Sequence, residues 1–267
     1  MPIQPSRSPA TAGRQHDIER LGPWFHNLHL PDGGETAPEH PLGDFPRYKW
    51  SVLAPHLPER LDGWTALDIG CNAGFYSFEL ARRGAQVTGI DVDDHYLDQA
   101  RWAAREFGLE DSVEFRRMQV YDLARTDTQF DLVLFLGVFY HLRYPLLGLD
   151  LVARRVRRLL VFQTLTTEEM EVQPDTSDRS LDDRAALRGP GWPRMAFIEG
   201  RFAGDPTNWW VPNHAGVLAM LRSSGLRVSS QLPHELYLCE PLPADAPERA
   251  PYDYTRELRA ATGMPWR

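Results

Sequence analysis

Two carboxylates, Asp68 and Asp91, stand where a nucleoside would be read. Asp68 opens the run Asp68-Ile69-Gly70-Cys71-Asn72-Ala73-Gly74, and Asp91 closes Val87-Thr88-Gly89-Ile90-Asp91. An apolar run, a loop with Gly70 and Gly74 and a helix-compatible stretch begin a nucleoside site in open α/β sheets, the glycines letting the backbone approach the ligand. An acid ending the second strand can accept both ribose hydroxyls, each charged hydrogen bond contributing roughly 1.5–3 kcal/mol. A dinucleotide fingerprint needs Gly-x-Gly-x-x-Gly, whereas this loop reads Asp68-x-Gly70-x-Asn72-x-Gly74. The early acid repels a pyrophosphate and attracts a cationic amino group and sulfonium, so the expected cofactor is S-adenosyl-L-methionine. Asn72 stands where such loops often carry a third glycine, and Asn tolerates left-handed backbone. The loop residues Asp68, Gly70, Cys71, Asn72 and Gly74, with Asp91 and Val92, are assigned to the cofactor.

Two further stretches carry candidate chemistry. Val120, Tyr121 and Asp122 follow the third strand and are placed to flank an adenine, Asp122 toward its exocyclic amine; a polar turn is the alternative. The fourth strand ends in Leu136-Gly137-Val138-Phe139-Tyr140-His141. A hydroxyl acceptor benefits from a base, and His141, at the rim beside Tyr140, is the first candidate because imidazole titrates near neutrality. His214, near Trp209 and Trp210, is the second. Trp24, Trp209, Trp210 and Asn213 are the substrate candidates, the tryptophans either walling an aromatic or sugar-like acceptor or packing in the core. His26, His29, His40 and His56 are not assigned to a metal, since no carboxylate pair is tied to them.

The elements that must position these residues alternate strand and helix, as a parallel sheet requires. Strands are expected near 66–69, 86–90, 113–117, 132–136, 159–163, 226–230 and 235–238. The spacing predicts helices over 48–57, after Asp91 with Asp93 or Asp94 as cap and Gly108 as stop, over 213–225, and a short one from Tyr254. The expected organisation is a disordered tail over 1–15, an N-terminal cap over 16–60, a Rossmann-like domain over 61–240 with a lid or substrate insertion over 166–208, and a C-terminal tail over 241–267.

Composition bounds the partners. The 267 residues carry a formal charge of −8, which disfavours a broad electrostatic grip on nucleic acid. Two cysteines give no disulfide framework, and no apolar run is long enough to span a bilayer, so a cytoplasmic enzyme is expected. Of 29 basic residues only Lys49 is a lysine, a position that either needs a compact ammonium or is a chance survival on a solvated face.

The motifs Leu67-Asp-Ile-Gly-Cys71, Phe130-Asp131, Gly137-Val-Phe-Tyr-His141, Leu160-Val-Phe-Gln-Thr-Leu165 and Asn208-Trp-Trp-Val-Pro212 resemble the wobble-uridine 5-oxyacetate synthase family, a tRNA carboxymethyltransferase-like group of class I S-adenosylmethionine-dependent transferases. The resemblance runs from about Leu21 to Leu238 and implies a Rossmann-like α/β sheet, mostly parallel with the last strand antiparallel, and helices on both faces. It also implies cofactor roles for Gly70, Asp91, Val120, Tyr121, Leu136, Tyr140 and Lys49. The family holds an extra cofactor carboxylate with a lysine and an arginine; here those positions read Leu21 and His234 or Glu235. Glu235 at about 4 Å from such a carboxylate would cost on the order of 4 kcal/mol at an effective dielectric of 20. Methyl transfer to a hydroxyl of a small molecule is therefore the expected reaction. Transfer to the 5-hydroxyuridine oxygen of a tRNA wobble position is the runner-up, and a non-catalytic nucleoside-binding module the third reading.

Overall fold

A computed structural model describes residues 9–173, 178–246 and 252–264. In chain order the elements are α1 (Pro9–Arg20), α2 (Phe45–Leu53), β1 (Thr65–Ile69), α3 (Phe75–Arg82), β2 (Gln86–Asp91), α4 (Asp94–Phe107), β3 (Val113–Arg117), β4 (Phe130–Leu136), α5 (Pro145–Ala153) and β5 (Val156–Gln163). After these come β6 (Met195–Phe197), β7 (Trp210–Pro212), α6 (His214–Ser223), β8 (Leu226–Leu232), β9 (Leu236–Pro241) and α7 (Thr255–Thr262). The main sheet has seven strands in the order β3-β2-β1-β4-β5-β9-β8. β1 with β4, β2 with β3 and β4 with β5 pair in parallel, while β9, the last strand, runs antiparallel to β5 and β8. The expected class, a mostly parallel α/β sheet with an antiparallel last strand, is the observed one. By its contacts the chain divides into two compact units, residues 1–64 with 71–118 and residues 65–70 with 119–267.

In the first unit, β2 and β3 carry helices whose ends obey local chemistry. The Asp93 carboxylate accepts from the His95 backbone N–H at 2.9 Å, satisfying one free donor of the first turn, and Gly108 ends α4 at φ 64°. α2 begins earlier than its apolar spacing suggested because Pro46 is preorganised for a first turn, and a 3-10 turn over Ala54–His56 follows its last residue. α1 overlaps the stretch expected to be a disordered tail, of which residues 1–8 lie outside the described residues. The physical reason is a docking contact: the Arg14 guanidinium pairs with both Glu106 and Asp32.

Gly74 caps α3 at φ 88°, and a Cβ there would lie 2.8 Å from the Phe78 ring and 2.9 Å from the Phe115 ring. Left-handed strain plus overpacking sets the expected cost of Gly74→Ala at about 2–3 kcal/mol. Urea denaturation should show that loss; an unchanged midpoint would mean the ring pair has room that this packing denies.

In the second unit, β4 is buried along its whole length, which is why it reads as a continuous apolar run. Asp131 within it is buried and ties strand starts together, accepting from the Thr65 backbone N–H at 3.0 Å and pairing with Arg157 at 3.0 Å. The stretch expected to be a lid carries β6, which pairs antiparallel with β7 just beyond it, and an ion pair of Arg194 with Glu169 at 2.6 Å. β8 and β9 are joined by a turn in which His234 and Glu235 both adopt left-handed backbone, at φ 60° and 58°.

Candidate active site

In the first unit the loop after β1 is built around Asp91. One of its carboxylate oxygens accepts from the Asn72 backbone N–H at 2.9 Å and the other from the Asp93 backbone N–H at 3.1 Å. Each oxygen keeps acceptor capacity for a further donor. Burial holds the Asp91 carboxyl above the usual carboxylate range, and these backbone hydrogen bonds partly offset it. Asn72 takes the left-handed backbone, at φ 51°, that its side chain tolerates, and its Oδ1 accepts from the Ala73 N–H at 2.8 Å. Cys71 is fully buried, its backbone N–H bonded to the Ile90 carbonyl at 3.0 Å and its Sγ set 3.1 Å from where a Cβ on Gly89 would lie. The Cys71 side chain therefore packs against the strand, so any part it has in the site falls to its backbone. Val92 is exposed directly after Asp91. Tyr96, which the sequence reading missed, hydrogen-bonds Asn72 from α4. Its only signal was its place five residues beyond the strand-ending acid.

Two other first-unit candidates separate. Lys49 is half-buried on α2, and its charge acts on the buried His26. Trp24 is a core residue rather than a substrate wall: its indole N–H donates to the Ile18 carbonyl at 2.8 Å and its ring meets Trp102 edge-on at 5.6 Å. His29 bonds Asp44 at 2.5 Å, and among the described residues no group of three or more His, Cys, Asp or Glu could hold a metal ion.

His26 is 5 % exposed among Phe45, Phe75 and Tyr76, and its Nδ1 has no hydrogen-bond partner. Burial first, then the charge of Lys49 and His40, pushes its imidazolium down to about 3. The folded protein therefore takes up this proton less readily than the unfolded chain. The contribution to stability is full above the unfolded value of about 6.5 and falls as the pH drops from there toward 3, by about 2 kcal/mol at pH 5. Comparison of urea stability between pH 7 and pH 5 should give a shallower loss in His26→Phe than in the wild type. Equal slopes would place a proton acceptor at His26 that this packing lacks.

In the second unit, Asp68 is buried in β1, Leu136 is buried at the end of β4, and Gly70 and Gly137 both take left-handed backbone, at φ 69°. A Cβ on Gly70 would meet Val138 at 2.4 Å, so nothing larger fits that turn. Val120 is buried, 3.3 Å from where a Cβ on Gly148 would lie, which gives its side chain a packing role against α5. The Tyr121 hydroxyl accepts from the Tyr144 backbone N–H at 3.0 Å. The Asp122 carboxylate accepts from the Gln119 N–H at 3.1 Å and pairs with Arg125, so the polar-turn alternative accounts for part of its capacity.

The ring of Tyr140 lies 4.3 Å from that of His141, and its hydroxyl lies 3.5 Å from where a Cβ on Gly137 would sit. Burial, then the negative charges of Glu235 and Asp205, push the Tyr140 phenol up to about 12. Glu235 is held in place by Thr166, whose N–H and hydroxyl both donate to Oε1 at 2.8 Å. His141 is shifted below its ordinary value by burial, with Asp205 opposing. Its Nδ1 lies 2.9 Å from the Thr207 hydroxyl. Trp209 donates its backbone N–H to the Tyr140 carbonyl at 2.9 Å, and Trp209 and Phe197 stack at 6.3 Å with the Arg143 guanidinium over both rings. Trp210 reaches the Arg143 carbonyl at 3.4 Å. The structure thus brings together Tyr140, His141, Trp209 and Trp210.

Asn213 and His214 are held by contacts within the second unit. Asn213 is a buried helix cap whose Oδ1 accepts from the Gly216 and Arg194 N–H groups at 2.8 and 2.9 Å. His214 is buried at the start of α6 with Nδ1 3.0 Å from the Tyr237 hydroxyl and its ring stacked on Tyr237, a structural pairing rather than a free base. Asp205 and Thr207, which face His141, were missed because only the fold joins positions 66 residues apart.

Residues 66–161 match the family described as methyltransferase domain. The chain is 34% identical over 159 residues to the tRNA U34 carboxymethyltransferase of Pseudoalteromonas translucida, covering 57% of this chain and 46% of that protein. It is 37% identical over 106 residues to the ubiquinone biosynthesis O-methyltransferase of Nitrosococcus oceani, covering 39% of this chain and 43% of that protein. The N-terminal domain of EvdMO1, solved in the presence of SAH and D-fucose, has a similar fold: TM-score 0.56, 19% identity, 88% of this chain and 99% of that one. The chain spans about half the length of the curated relatives it matches. The resemblance drawn from the motifs is borne out by these matches. Among the described residues no helix is long and apolar enough to cross a membrane.

Proposed function

We propose that this chain is an S-adenosylmethionine-dependent methyltransferase that methylates a hydroxyl oxygen of a small molecule. The residues present fit the cofactor on the chemistry of their donors and acceptors. Asp91 is a buried carboxylate with acceptor capacity left for ribose hydroxyls, and Gly70 makes a tight left-handed turn after β1 that leaves no room for a Cβ beside Val138. In the first unit Asp91 and the backbone of Cys71–Gly74 would hold the nucleoside, with Lys49 beside them in role. In the second, Asp68, Gly70, Leu136 and Tyr140 would hold the amino acid part, and Val120, Tyr121 and Asp122 the adenine. S-adenosylmethionine, when bound, supplies a methyl group on a positively charged sulfur that departs as a neutral thioether. Positioning the acceptor oxygen can supply ~7–11 kcal/mol of the barrier. His141, neutral near pH 7 because burial lowers its affinity for a proton, accepts the hydroxyl proton.

The observation that carries methyl rather than carboxymethyl transfer is the negative field at Tyr140, set by Glu235 and Asp205. A second carboxylate on the cofactor would meet that field. Supplying the protein with methyl-labelled S-adenosylmethionine and a cell extract that retains both metabolites and tRNA should place label in the small-molecule fraction. Label confined to tRNA would favour the second reading, transfer to the 5-hydroxyuridine oxygen of a tRNA wobble position. That reading draws on the curated relatives and on the Phe197–Trp209–Arg143 cluster, a surface suited to stacking a base. Against it stands the stretch 166–184, with seven acids and two arginines. Transfer to neither fraction would return the chain to a nucleoside-binding module. A location in the cytoplasm belongs to the same proposal.

A further inference from the structure

The hydrogen bonds around His141 have a direction that fixes where its proton sits. The Asp205 carboxylate can only accept, and the Thr207 hydroxyl lies 2.6 Å from its Oδ1, so that hydroxyl proton is committed to Asp205. The same carboxylate oxygen accepts from the Thr207 backbone N–H at 2.7 Å, which locks the two residues together, and the Thr207 hydroxyl holds the Asp205 carboxyl below the usual carboxylate range. With its proton used, the Thr207 oxygen faces His141 Nδ1 at 2.9 Å only as an acceptor. The neutral imidazole must then carry its proton on Nδ1. Its other nitrogen, Nε2, is left with a lone pair.

We infer that Asp205 and Thr207, carried on the stretch expected to be a lid, are positioning residues that hold His141 in the tautomer able to take a proton through Nε2. This deepens the proposed reaction and rests on that reading for its use. The acceptor's O–H bond breaks, its proton joins the Nε2 lone pair, and the electron pair stays on oxygen for the bond to the methyl carbon, whose bond to sulfur would break with its electron pair leaving on the neutral thioether. The resulting imidazolium keeps its Nδ1–H donating to Thr207, with the Asp205 charge behind it. Asp205 Oδ2 lies 3.7 Å from Nδ1, close enough to favour the cation electrostatically without taking the proton. Because Thr207 and Asp205 precede β7, whose neighbour Trp209 is bonded to the Tyr140 carbonyl, displacement of this stretch would also release His141 from its tautomer.

The charged and titratable groups that face His141 are Asp205 and Tyr140, and Glu235 acts on Tyr140 in turn. The test is nitrogen NMR of the histidine-labelled, cofactor-free protein, with the His141 signals identified by their loss in His141→Gln. The wild type should show Nδ1 protonated and Nε2 bare at pH 8. Thr207→Val should move the proton to Nε2, and Thr207→Ser should restore the wild-type pattern, which a merely structural role for the threonine would not require. Asp205→Asn should lower the pH at which His141 takes up its second proton. A wild-type His141 with its proton on Nε2, or a Thr207→Val protein with an unchanged tautomer, overturns the inference. No methyl transfer enters this measurement, so its failure is distinguishable from failure of the methyltransferase reading, which is decided by cofactor binding at Asp91.

Discussion

Asp91→Asn should weaken S-adenosylmethionine binding by about 10²–10⁴-fold, because two charge-assisted hydrogen bonds to ribose hydroxyls would be lost at roughly 1.5–3 kcal/mol each. Both oxygens of this carboxylate already accept backbone N–H groups, from Asn72 and Asp93, so the side chain is locked before any ligand arrives. An amide in its place offers one acceptor oxygen, and its NH₂ would face a backbone N–H. The turn is therefore expected to loosen as well, and the variant's melting temperature should be measured alongside calorimetry with S-adenosylmethionine and its demethylated product. Asp91→Glu keeps the charge and displaces it by one methylene, so it should bind more weakly than the wild type and more tightly than Asp91→Asn. Affinity within threefold of wild type in a folded Asp91→Asn protein would remove the nucleoside site from this rim.

Much of the fold was legible because it rests on local patterns. β4 reads as an unbroken apolar run because it is buried throughout, and α4 announces both its ends through Asp93 and Gly108. Asn72 was recognisable as a residue that accepts left-handed backbone before its φ was known. The illegible parts depend on partners far away in sequence. α1 has little apolar patterning, and Arg14 needs Glu106 and Asp32 to give it somewhere to dock. β6 and β7 are three residues each, too short for a two-residue period to register. Trp24 and Asn213 belong to residue types that serve cores and caps as readily as ligands, and only Ile18, Trp102 and Gly216 decide which. The bond between His141 and Thr207 crosses the whole of β5 and the insertion, so no spacing rule reaches it.

The other large effect concerns which sulfonium cofactor is accepted. Glu235 sits in the β8–β9 turn with its carboxylate fixed by two donors from Thr166, and its charge is felt at the Tyr140 phenol together with that of Asp205. A carboxylate added to the transferred group near Tyr140 would meet this field. For a separation of about 6 Å at an effective dielectric of 20, the repulsion from one charge is about 3 kcal/mol, or about 100-fold in affinity. Calorimetry should therefore find S-adenosylmethionine bound about 100-fold more tightly than its carboxylated analogue. Glu235→Arg reverses the sign of one of these charges, and the left-handed backbone at this position is already occupied by a non-glycine residue, so the change is tolerable to the turn. The variant should lose the preference and reach or pass parity, a change of up to about 10⁴-fold between the two cofactors if the charge reverses at the same distance. Loss of the Thr166 hydrogen bonds would also lower stability modestly, and Glu235→Gln separates the two effects, since its amide oxygen keeps the acceptor while the charge is removed. If the wild type bound the carboxylated cofactor more tightly, the field at Tyr140 would be screened by groups other than these. Carboxymethyl transfer, the activity named for the relatives, would then replace methyl transfer as the reading of this site.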